Sequence, residues 1–334
     1  MKALRKLGPS ADDLAIRPLP VPEPGSGEAL VEVTAVGLCG SDVHAIKAHP
    51  GYEWVRTPVT LGHEITGVVA SVVGNAVAGD AGELSVGSQV GVISMDGCRA
   101  CELCASGHRP LCAERTVIGL SNDGGAADYV LVRADNLVPL PADLSWQHSV
   151  LLEPLSVAVH AVARTPLPAD GRVIVSGAGP VGILAAFAGR AASAEVTVVG
   201  VAQDEATRLP LLRRAGFGTR TEPPAEPVGA WIEASGSVAA LAAAVAGLRP
   251  GGDLTAVGMY DRLATLDGSR LVRREITVRG SYGSVAADYL TALGLLHTAG
   301  VPADGMVSPF ALGDWTAALD AIVHGTAIKA ALRP

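Results

Sequence analysis

The chain has 334 residues, of which 49% are hydrophobic and 17% are charged, and its formal net charge is −8. This composition provides material for buried cores and is unlike that of a disordered chain. The acidic balance, with no block rich in lysine and arginine, argues against a nucleic-acid-binding protein, because such binding relies on basic patches. The length predicts about two domains.

The first six residues read MKALRK, and no apolar signal-peptide region follows them. We therefore expect a cytoplasmic protein. The longest uncharged run of note, residues 173–189, contains several glycines and a proline and is shorter than the roughly 20 apolar residues of a membrane-spanning helix. A membrane partner is not expected.

The first part of the chain is rich in β-strand patterns. Residues 29–36, 65–73, 89–93 and 129–132 have the β-branched content typical of strands. Many short β segments separated by glycines predict a barrel-like or irregular β domain.

Candidate zinc ligands lie within this β-rich part. Residues 39–44 read CGSDVH, and residues 62–64 read GHE. A thiolate, an imidazole and a carboxylate are side-chain types that bind zinc. The stretch predicts a metal site that uses Cys39, His63 and Glu64.

The other four cysteines follow one another at short spacing: Cys98, Cys101, Cys104 and Cys112. Gaps of two residues let sulfurs converge on one ion, and four thiolates complete a tetrahedral zinc shell with no open position. The pattern therefore predicts a structural zinc, with an iron–sulfur cluster as the alternative. An odd number of cysteines without a secretion signal favours metal thiolates over disulfides.

From about residue 150 to residue 285, strand-like and helix-like segments alternate, which predicts parallel βαβ units. The predicted strands are 172–176, 196–199, 230–233 and 253–257. The predicted helices are 180–192, 205–215 and 238–248. Residues 286–334 add two helical patterns and a last strand at 327–332.

Residues 177–182 read GAGPVG and connect a predicted strand to a predicted helix. In this setting a GxGxxG pattern predicts a dinucleotide-binding loop. The three glycines permit, in order, a tight turn, close approach to the pyrophosphate and close helix–strand packing, and the helix N-terminus faces the phosphates. The expected cofactor contacts are Gly177, Gly179, Pro180, Val181 and Gly182.

The next strand ends at Gly200, where dinucleotide-binding folds usually carry an acid for the ribose 2′-hydroxyl. The missing carboxylate removes a repulsion against a 2′-phosphate and so permits NADP, which Arg208 could approach. Asp204 and Glu205 are close enough in sequence to substitute for the acid. We therefore expect NAD(P), with a slight preference for NADP.

Together these motifs resemble the zinc-dependent medium-chain alcohol dehydrogenases, and their sorbitol, polyol and threonine dehydrogenase branch in particular. Two further motifs, EPLS at 153–156 and EASG at 233–236, occur in the same order. The resemblance covers essentially the whole chain and implies an α/β fold. The implied regions are a GroES-like β-rich catalytic domain at 1–149 with a structural-zinc lobe at 95–113, a Rossmann domain with a doubly wound parallel sheet at 150–285, and a return to the catalytic domain at 286–334.

The resemblance also implies the ligands of a catalytic zinc. Cys39 and His63 match its fixed ligands. Glu64 and Glu153 match two carboxylates that bind zinc or exchange with water. Either acid can hold the third ligand place, and Glu64 has the alternative of pairing with a nearby arginine.

Three residues near Cys39 match a proton relay in the same family. Asp42 matches the acid that orients the histidine ligand, and Ser41 matches the hydroxyl that takes the substrate proton. His44 matches the end of that relay.

The sequence departs from the family pattern at Gly200 and in the proline-rich segment 217–227. Many relatives carry a further strand and helix in that segment. We therefore expect a trimmed Rossmann domain.

Zinc with an open coordination position acts as a Lewis acid but does no redox chemistry, so a hydride must pass to a cofactor. A zinc site and a dinucleotide loop in one chain predict an enzyme that transfers a hydride between NAD(P) and an alcohol or ketone. The resemblance implies that the substrate is a secondary alcohol or ketone of a polyol, cyclitol, sugar or hydroxy-amino acid. The alternatives are an NADPH-dependent carbonyl or enone reductase of the same fold, and a non-catalytic regulator that binds zinc and a nucleotide. Residues 275–282 resemble the family's subunit-pairing edge, which implies a homodimer or homotetramer.

Overall fold

The computed structural model describes residues 1–73 and 84–334. They form two compact units. The first comprises Met1–Glu153, Val285–Leu293 and Ala303–Pro334, and the second comprises Pro154–Ser284 and Gly294–Pro302. The segment Gly294–Pro302, which lies inside the predicted C-terminal return, packs with the second unit.

The strands are numbered in chain order. They are β1 (Lys2–Lys6), β2 (Leu14–Pro18), β3 (Glu28–Gly37), β4 (Val59–Thr60), β5 (Glu64–Val72), β6 (Gln89–Val92), β7 (Met95–Asp96), β8 (Thr116–Val117), β9 (Tyr129–Arg133), β10 (Leu137–Pro139), β11 (Arg172–Ser176), β12 (Glu195–Val199), β13 (Gly218–Arg220), β14 (Val228–Glu233), β15 (Leu248–Ala256), β16 (Thr277–Gly280), β17 (Val307–Ala311) and β18 (Lys329–Arg333).

The α-helices are numbered in the same way. They are α1 (Gly40–Ile46), α2 (Glu102–Ala105), α3 (Trp146–Ser149), α4 (Leu152–Ala163), α5 (Pro180–Ala191), α6 (Arg208–Arg214), α7 (Val238–Gly247), α8 (Gly268–Arg273), α9 (Ala286–Thr298), α10 (Ala303–Met306) and α11 (Trp315–Val323). No helix among the described residues combines the length and the apolar content that crossing a bilayer requires.

The first unit is built around a sheet with the strand order β10-β6-β5-β3-β18-β17, in which β9 also pairs with β3. Only the pair of β17 and β18 is parallel within this described sheet. Alternate residues of β3, such as Val31 and Val33, point into the buried apolar core. This is the β-rich domain that the sequence predicts, and it places Cys39 and Glu64 at neighbouring strand ends.

The second unit contains six parallel strands in the order β13-β12-β11-β14-β15-β16. Ile174, Trp231 and Leu254 belong to its buried core. This strand order is that of the doubly wound dinucleotide-binding fold. The predicted Rossmann architecture is confirmed.

The sequence predicts that both a strand and a helix are lost from this fold after Gly216, but only the helix is missing from the described residues. A strand remains after Gly216, because β13 pairs in parallel with β12 over three residues. The described residues 221–227 then lead to β14 without a helix. Three prolines in this segment account for the loss, because proline removes a helical hydrogen bond and clashes with the preceding turn.

The predicted helix at 205–215 is also shorter than expected. Residues Ala202–Ala206 form a 3-10 helix, and α6 begins only at Arg208. Pro210 lies in the first turn of α6, where a proline is tolerated. The 3-10 helix carries Asp204, whose carboxylate lies beside Gly200.

Candidate active site and zinc centres

Asp42 links the first turn of α1 to the histidine of the candidate metal site. Its side chain is fully buried, and Oδ2 accepts a hydrogen bond from the backbone N–H of Cys39 at 2.9 Å. Its Oδ1 lies 3.3 Å from Nδ1 of His63. Neither of these two buried atoms completes a hydrogen bond of good geometry within the described residues. A metal ion on Nε2 would place the imidazole proton on Nδ1, facing Asp42, so the pair fits a metal site.

His63 is placed by the glycine before it. Gly62 has a positive φ of 90°, and a Cβ there would lie 2.7 Å from a methyl carbon of Val36. Only glycine can adopt this positive φ without strain and also avoid the clash with Val36, because it has no Cβ. The turn brings Nε2 of His63 to 3.3 Å from Oγ of Ser41. The predicted proton-accepting hydroxyl therefore lies beside the predicted metal ligand.

Three candidate ligands converge in the first unit. Cys39, His63 and Glu64 each offer a ligand atom, and these atoms all lie within 4.8 Å of one another. A thiolate, an imidazole and a carboxylate are suitable donors for a catalytic zinc with an open position. Glu153 is outside this group among the described residues, and its Oε1 accepts a hydrogen bond from Oγ of Ser94 at 3.0 Å.

Glu64 is held by a buried lysine. Nζ of Lys329 lies 2.6 Å from Oε1 and 2.7 Å from Oε2 of Glu64, and it donates to the carbonyl oxygen of Leu38 at 3.1 Å. Both charged side chains are almost completely buried. A Cβ on Gly37 would lie 2.0 Å from Oε2 of Glu64, so glycine leaves the room that this carboxylate occupies. Glu64 therefore has an ion-pair partner, but this partner is Lys329 and not the expected arginine.

The titration of these groups follows from burial and from their neighbours. Burial lowers the pKa of His63, but the charges of Asp42 and Cys39 outweigh it and hold the pKa well above its ordinary value. Burial raises the pKa of Glu153 to about 7, with the charge of His63 opposing the shift and that of Glu64 adding to it. Burial also lowers the pKa of Lys329, yet Glu64 and Cys39 raise it overall. Metal binding must displace the proton that His63 holds.

His44 lies in α1 within a group of rings. Its Nδ1 is 2.7 Å from Nδ1 of His49, and its ring stacks on Tyr52 with centroids 5.3 Å apart. A hydrogen bond between two Nδ1 atoms requires one protonated and one unprotonated nitrogen. The geometry is compatible with proton transfer, and the role of His44 as the relay end stays a prediction.

The four-cysteine lobe has the dimensions of a single-metal site. The four sulfurs lie within 4.8 Å of one another, with Sγ–Sγ distances of 3.9 Å for Cys98 and Cys104 and 3.8 Å for Cys101 and Cys112. A tetrahedral site with Zn–S bonds of about 2.3 Å has edges of about 3.8 Å. An iron–sulfur cluster would spread its cysteines over several irons and hold them further apart. The geometry favours a structural zinc.

Backbone groups prepare this lobe for an anionic sulfur. The N–H groups of Ala100 and Cys101 lower the pKa of Cys98 to about 7. Burial raises the pKa of Cys104 to about 12, so this thiol would lose its proton only when a metal ion displaces it. A Cβ on Gly97 would lie 2.5 Å from the sulfur of Cys104, which explains a glycine at the entry to the lobe.

In the second unit, the loop after β11 has the dinucleotide-binding geometry. Gly177 has a positive φ of 100°, and a Cβ there would lie 2.8 Å from Ser235. A Cβ on Gly182 would lie 1.8 Å from the carbonyl oxygen of Gly177. Gly179 precedes Pro180 at the start of α5 and has open space beside it. The first and third glycines are required by packing, and the second leaves room for a cofactor phosphate.

The EASG motif supports this loop from the next strand. Glu233 is fully buried, and its Oε1 accepts the N–H of Ser235 at 2.8 Å. Its Oε2 accepts the hydroxyl of Tyr260 at 2.5 Å. Burial and the neighbouring Glu233 raise the pKa of Tyr260, which keeps this donor protonated. The carboxylate thereby fixes Ser235 against Gly177.

Asp204 fills the space beside Gly200. A Cβ on Gly200 would lie 2.8 Å from Oδ2 of Asp204, and this oxygen accepts the N–H of Val201 at 2.9 Å. Oδ1 of Asp204 accepts a hydrogen bond from Arg208 at 3.0 Å. The carboxylate of Asp204 therefore lies beside residue 200, where an acid was expected, and Arg208 is paired with it.

Three contributors to the candidate site were not predicted from the sequence. The sequence did contain a sign of Lys329, because it is the one charged residue in the otherwise apolar strand predicted at 327–332. Ser94 and Tyr289, which lie behind Glu153, had none.

The fold and the sites define a class of protein: an oxidoreductase with a Rossmann unit for a dinucleotide and a β-rich unit with a catalytic and a structural zinc centre. Comparison with known proteins agrees. Residues 25–142 match the alcohol dehydrogenase GroES-like domain. The sorbitol dehydrogenase of Halalkalibacterium halodurans is 32% identical over 100% of this chain and 99% of its own.

Two further comparisons extend over almost the full length. The D-arabitol-phosphate dehydrogenase of Enterococcus avium is 30% identical over 98% of this chain and 96% of its own. A structurally similar protein of Sinorhizobium meliloti, solved with bound NADP, has a TM-score of 0.88 and 25% identity, and covers 100% of this chain and 99% of its own.

The chain belongs to the zinc-dependent medium-chain dehydrogenase/reductase family. It is an oxidoreductase that acts on secondary alcohols or their ketones and uses zinc and NAD(P).

Proposed function

We propose that the enzyme exchanges a hydride between NAD(P) and a secondary hydroxyl carbon of a polyol, cyclitol, sugar or hydroxy-amino acid, at a zinc ion held by Cys39, His63 and Glu64. The convergence of these three ligand atoms within 4.8 Å carries the proposal. The names of the relatives, a sorbitol and an arabitol-phosphate dehydrogenase, support a polyhydroxylated substrate.

When bound, the zinc ion supplies Lewis acidity that lowers the pKa of an alcohol. Ser41 is the proposed acceptor of the alcohol proton, and its Oγ lies 3.3 Å from Nε2 of His63. Asp42 holds the imidazole of His63 in the orientation that directs Nε2 towards the metal position. His44, paired with His49, is the proposed end of the proton path.

Glu64 is the proposed third ligand, and Glu153, the alternative for that place, lies outside the group of converging ligand atoms among the described residues. The ion pair with Lys329 offsets the charge of Glu64, so this carboxylate would bind a zinc ion more weakly, and it still lies within 4.8 Å of the ligand atoms of Cys39 and His63. Such a ligand can exchange with water or substrate, as a catalytic site requires. A metal-bound structure with both carboxylates beyond coordination distance would contradict this part of the proposal.

The function is tested by incubating the purified enzyme with NAD or NADP and a panel of polyols, sugar acids and hydroxy-amino acids, and following the nicotinamide absorbance. We expect turnover with at least one polyhydroxylated secondary alcohol, loss of turnover after removal of zinc by a chelator, and recovery on adding zinc. Turnover that survives complete removal of zinc would contradict the proposal.

We also propose a homodimer or homotetramer that pairs through β16. This strand is the last in the order of the described sheet, and Val278 is 40% exposed on it. An exposed strand edge favours pairing with another copy. Light scattering coupled to gel filtration should give a multiple of the 33.8 kDa chain, and a Val278→Pro variant should shift it towards the monomer. A monomeric wild-type protein would refute this. The cytoplasmic location stays a prediction.

A further inference from the structure

Ser94 and Tyr289 form a buried pair of hydroxyl groups behind Glu153. Ser94 follows β6 and is 3% exposed, and Tyr289 lies in α9 and is 1% exposed. The hydroxyl of Tyr289 accepts the backbone N–H of Ser94 at 3.1 Å and lies 3.4 Å from its Oγ. Oγ of Ser94 in turn donates to Oε1 of Glu153 at 3.0 Å. All three residues belong to the first unit.

Two buried hydroxyls are not needed to fill this space. Alanine and phenylalanine would occupy nearly the same volume without the cost of removing a hydroxyl from water, which is about 1–3 kcal/mol when it is uncompensated. What the hydroxyls add is directional hydrogen bonding to Glu153. They fix one oxygen of Glu153 at a defined place.

That place matters because the site holds two carboxylates. Glu64 is within the group of ligand atoms that converge, whereas Glu153 is outside it. If Glu153 joined Cys39, His63 and Glu64, the metal would have four protein ligands. A tetrahedral zinc with four protein ligands has no position for substrate and is typical of structural sites.

We propose that Ser94, backed by Tyr289, is a positioning residue that holds Glu153 away from the metal and so keeps one coordination position open. This inference rests on the proposed function for the identity of the metal site. It adds a role for two residues that neither bind the metal nor touch the reacting atoms.

The experiment uses the full-length enzyme with Co²⁺ in the Cys39 site, where the visible absorption reports coordination. The signal of this site is defined as the part of the spectrum that a Cys39→Ser variant lacks. Imidazole is added as a probe of the open position, and release of Co²⁺ to a chelator is timed. The variants are Ser94→Ala and Tyr289→Phe, with Ser94→Thr as the conservative rescue.

In Ser94→Ala we expect a spectrum that no longer responds to imidazole, slower release of Co²⁺ and a kcat/KM lower by about 10- to 100-fold, the usual range for residues behind metal ligands. Tyr289→Phe should show a smaller change of the same sign, and Ser94→Thr should resemble the wild type. Tighter metal binding together with lower turnover is a combination that simple structural damage does not produce.

A Thr165→Val variant is the matched control. It also removes one buried hydroxyl, which bonds Thr255 at 2.8 Å within the second unit, so it should leave the Co²⁺ spectrum unchanged.

If Ser94→Ala retains the wild-type response to imidazole, or loses metal and activity together, the positioning role is wrong. If the wild type shows no Co²⁺ absorption that depends on Cys39, the proposed metal site itself fails and this inference fails with it.

Discussion

Lys329 and Glu64 form a buried ion pair in the candidate site. The lysine lies at the start of β18, and only 2% of it is exposed, so water does little to solvate its charge. Glu64, which is equally deeply buried, supplies the balancing charge from β5. Removing one partner of such a pair leaves the other charge uncompensated, which costs far more than the pair contributes.

At this position we predict that Lys329→Met lowers the free energy of unfolding of the metal-free enzyme by about 3–5 kcal/mol. Denaturant unfolding of both proteins measures the difference. Lys329→Arg keeps the charge and should lose much less. Equal stability of Lys329→Met and wild type would show that Glu64 does not depend on this lysine.

His63 gives a prediction about pH. The raised pKa of His63 stabilises the metal-free fold at acidic pH, and this contribution is lost as the pH rises through the folded-state pKa. The binding of zinc has the opposite pH dependence, because the ion binds only the unprotonated ring of His63. Affinity for zinc should therefore fall as the pH is lowered through neutrality.

The release of protons tests this directly. Calorimetric titrations of zinc in buffers of different ionisation enthalpy should show that binding releases protons from the histidine and cysteine ligands. In Asp42→Asn the loss of the neighbouring charge lowers the pKa of His63, so fewer protons should be released. An unchanged proton count in this variant would contradict the assignment of Asp42 as the cause.

Among the elements, the 3-10 helix at Ala202–Ala206 is the one that we expect to shape the ribose side of the cofactor pocket. It returns the carboxylate of Asp204 to the space beside Gly200 and pairs it with Arg208. A 2′-phosphate placed there would meet a carboxylate and a guanidinium together. Removing only the negative charge should favour the phosphate.

We predict that Asp204→Asn changes the ratio of the dissociation constants for NADH and NADPH by about tenfold in favour of NADPH, equivalent to about 1.4 kcal/mol. Quenching or enhancement of nicotinamide fluorescence measures both constants without turnover. Glu205→Gln removes the same charge from an exposed residue paired with Arg213 and should leave the ratio unchanged. A ratio that does not move in Asp204→Asn would mean that the ribose binds elsewhere.

The four-cysteine lobe is a second element with its own prediction. Cys104→Ser should remove one zinc per chain, as measured by metal analysis, and should lower the thermal unfolding temperature. The Cys39 site should keep its metal, because its ligands come from other elements. Loss of both metals in this variant would show that the two centres are not independent.

Over the whole molecule, the features predicted from the sequence are those that neighbouring residues encode. The spacing of Cys98 to Cys112 and the loop at 177–182 are local patterns. The first leaves only a zinc ion or an iron–sulfur cluster as sensible choices, and the second predicts a dinucleotide-binding turn. The alternation of strands and helices fixed the parallel sheet in the same way. Even the loss of a helix after β13 was readable from three prolines, although the survival of the strand was not.

The features that could not be predicted depend on contacts between distant parts of the chain. Lys329 is 265 residues from Glu64, and Tyr289 is 195 residues from Ser94. No periodicity relates such pairs, because they meet only when β18 pairs with β3 and when α9 is hydrogen-bonded to Ser94. Asp204 is an intermediate case. Its position in sequence made it a candidate, but only the direction of the 3-10 helix brings its carboxylate beside Gly200.

The central claim is that Cys39 and His63 hold the zinc ion at which this chain works as an NAD(P)-dependent dehydrogenase. The most direct test measures zinc content, unfolding temperature and turnover of a polyol in the wild type and in Cys39→Ser. We predict two zinc ions per wild-type chain and one in the variant, with a nearly unchanged unfolding temperature and no detectable turnover. Full turnover in Cys39→Ser, with the fold intact, would contradict the claim.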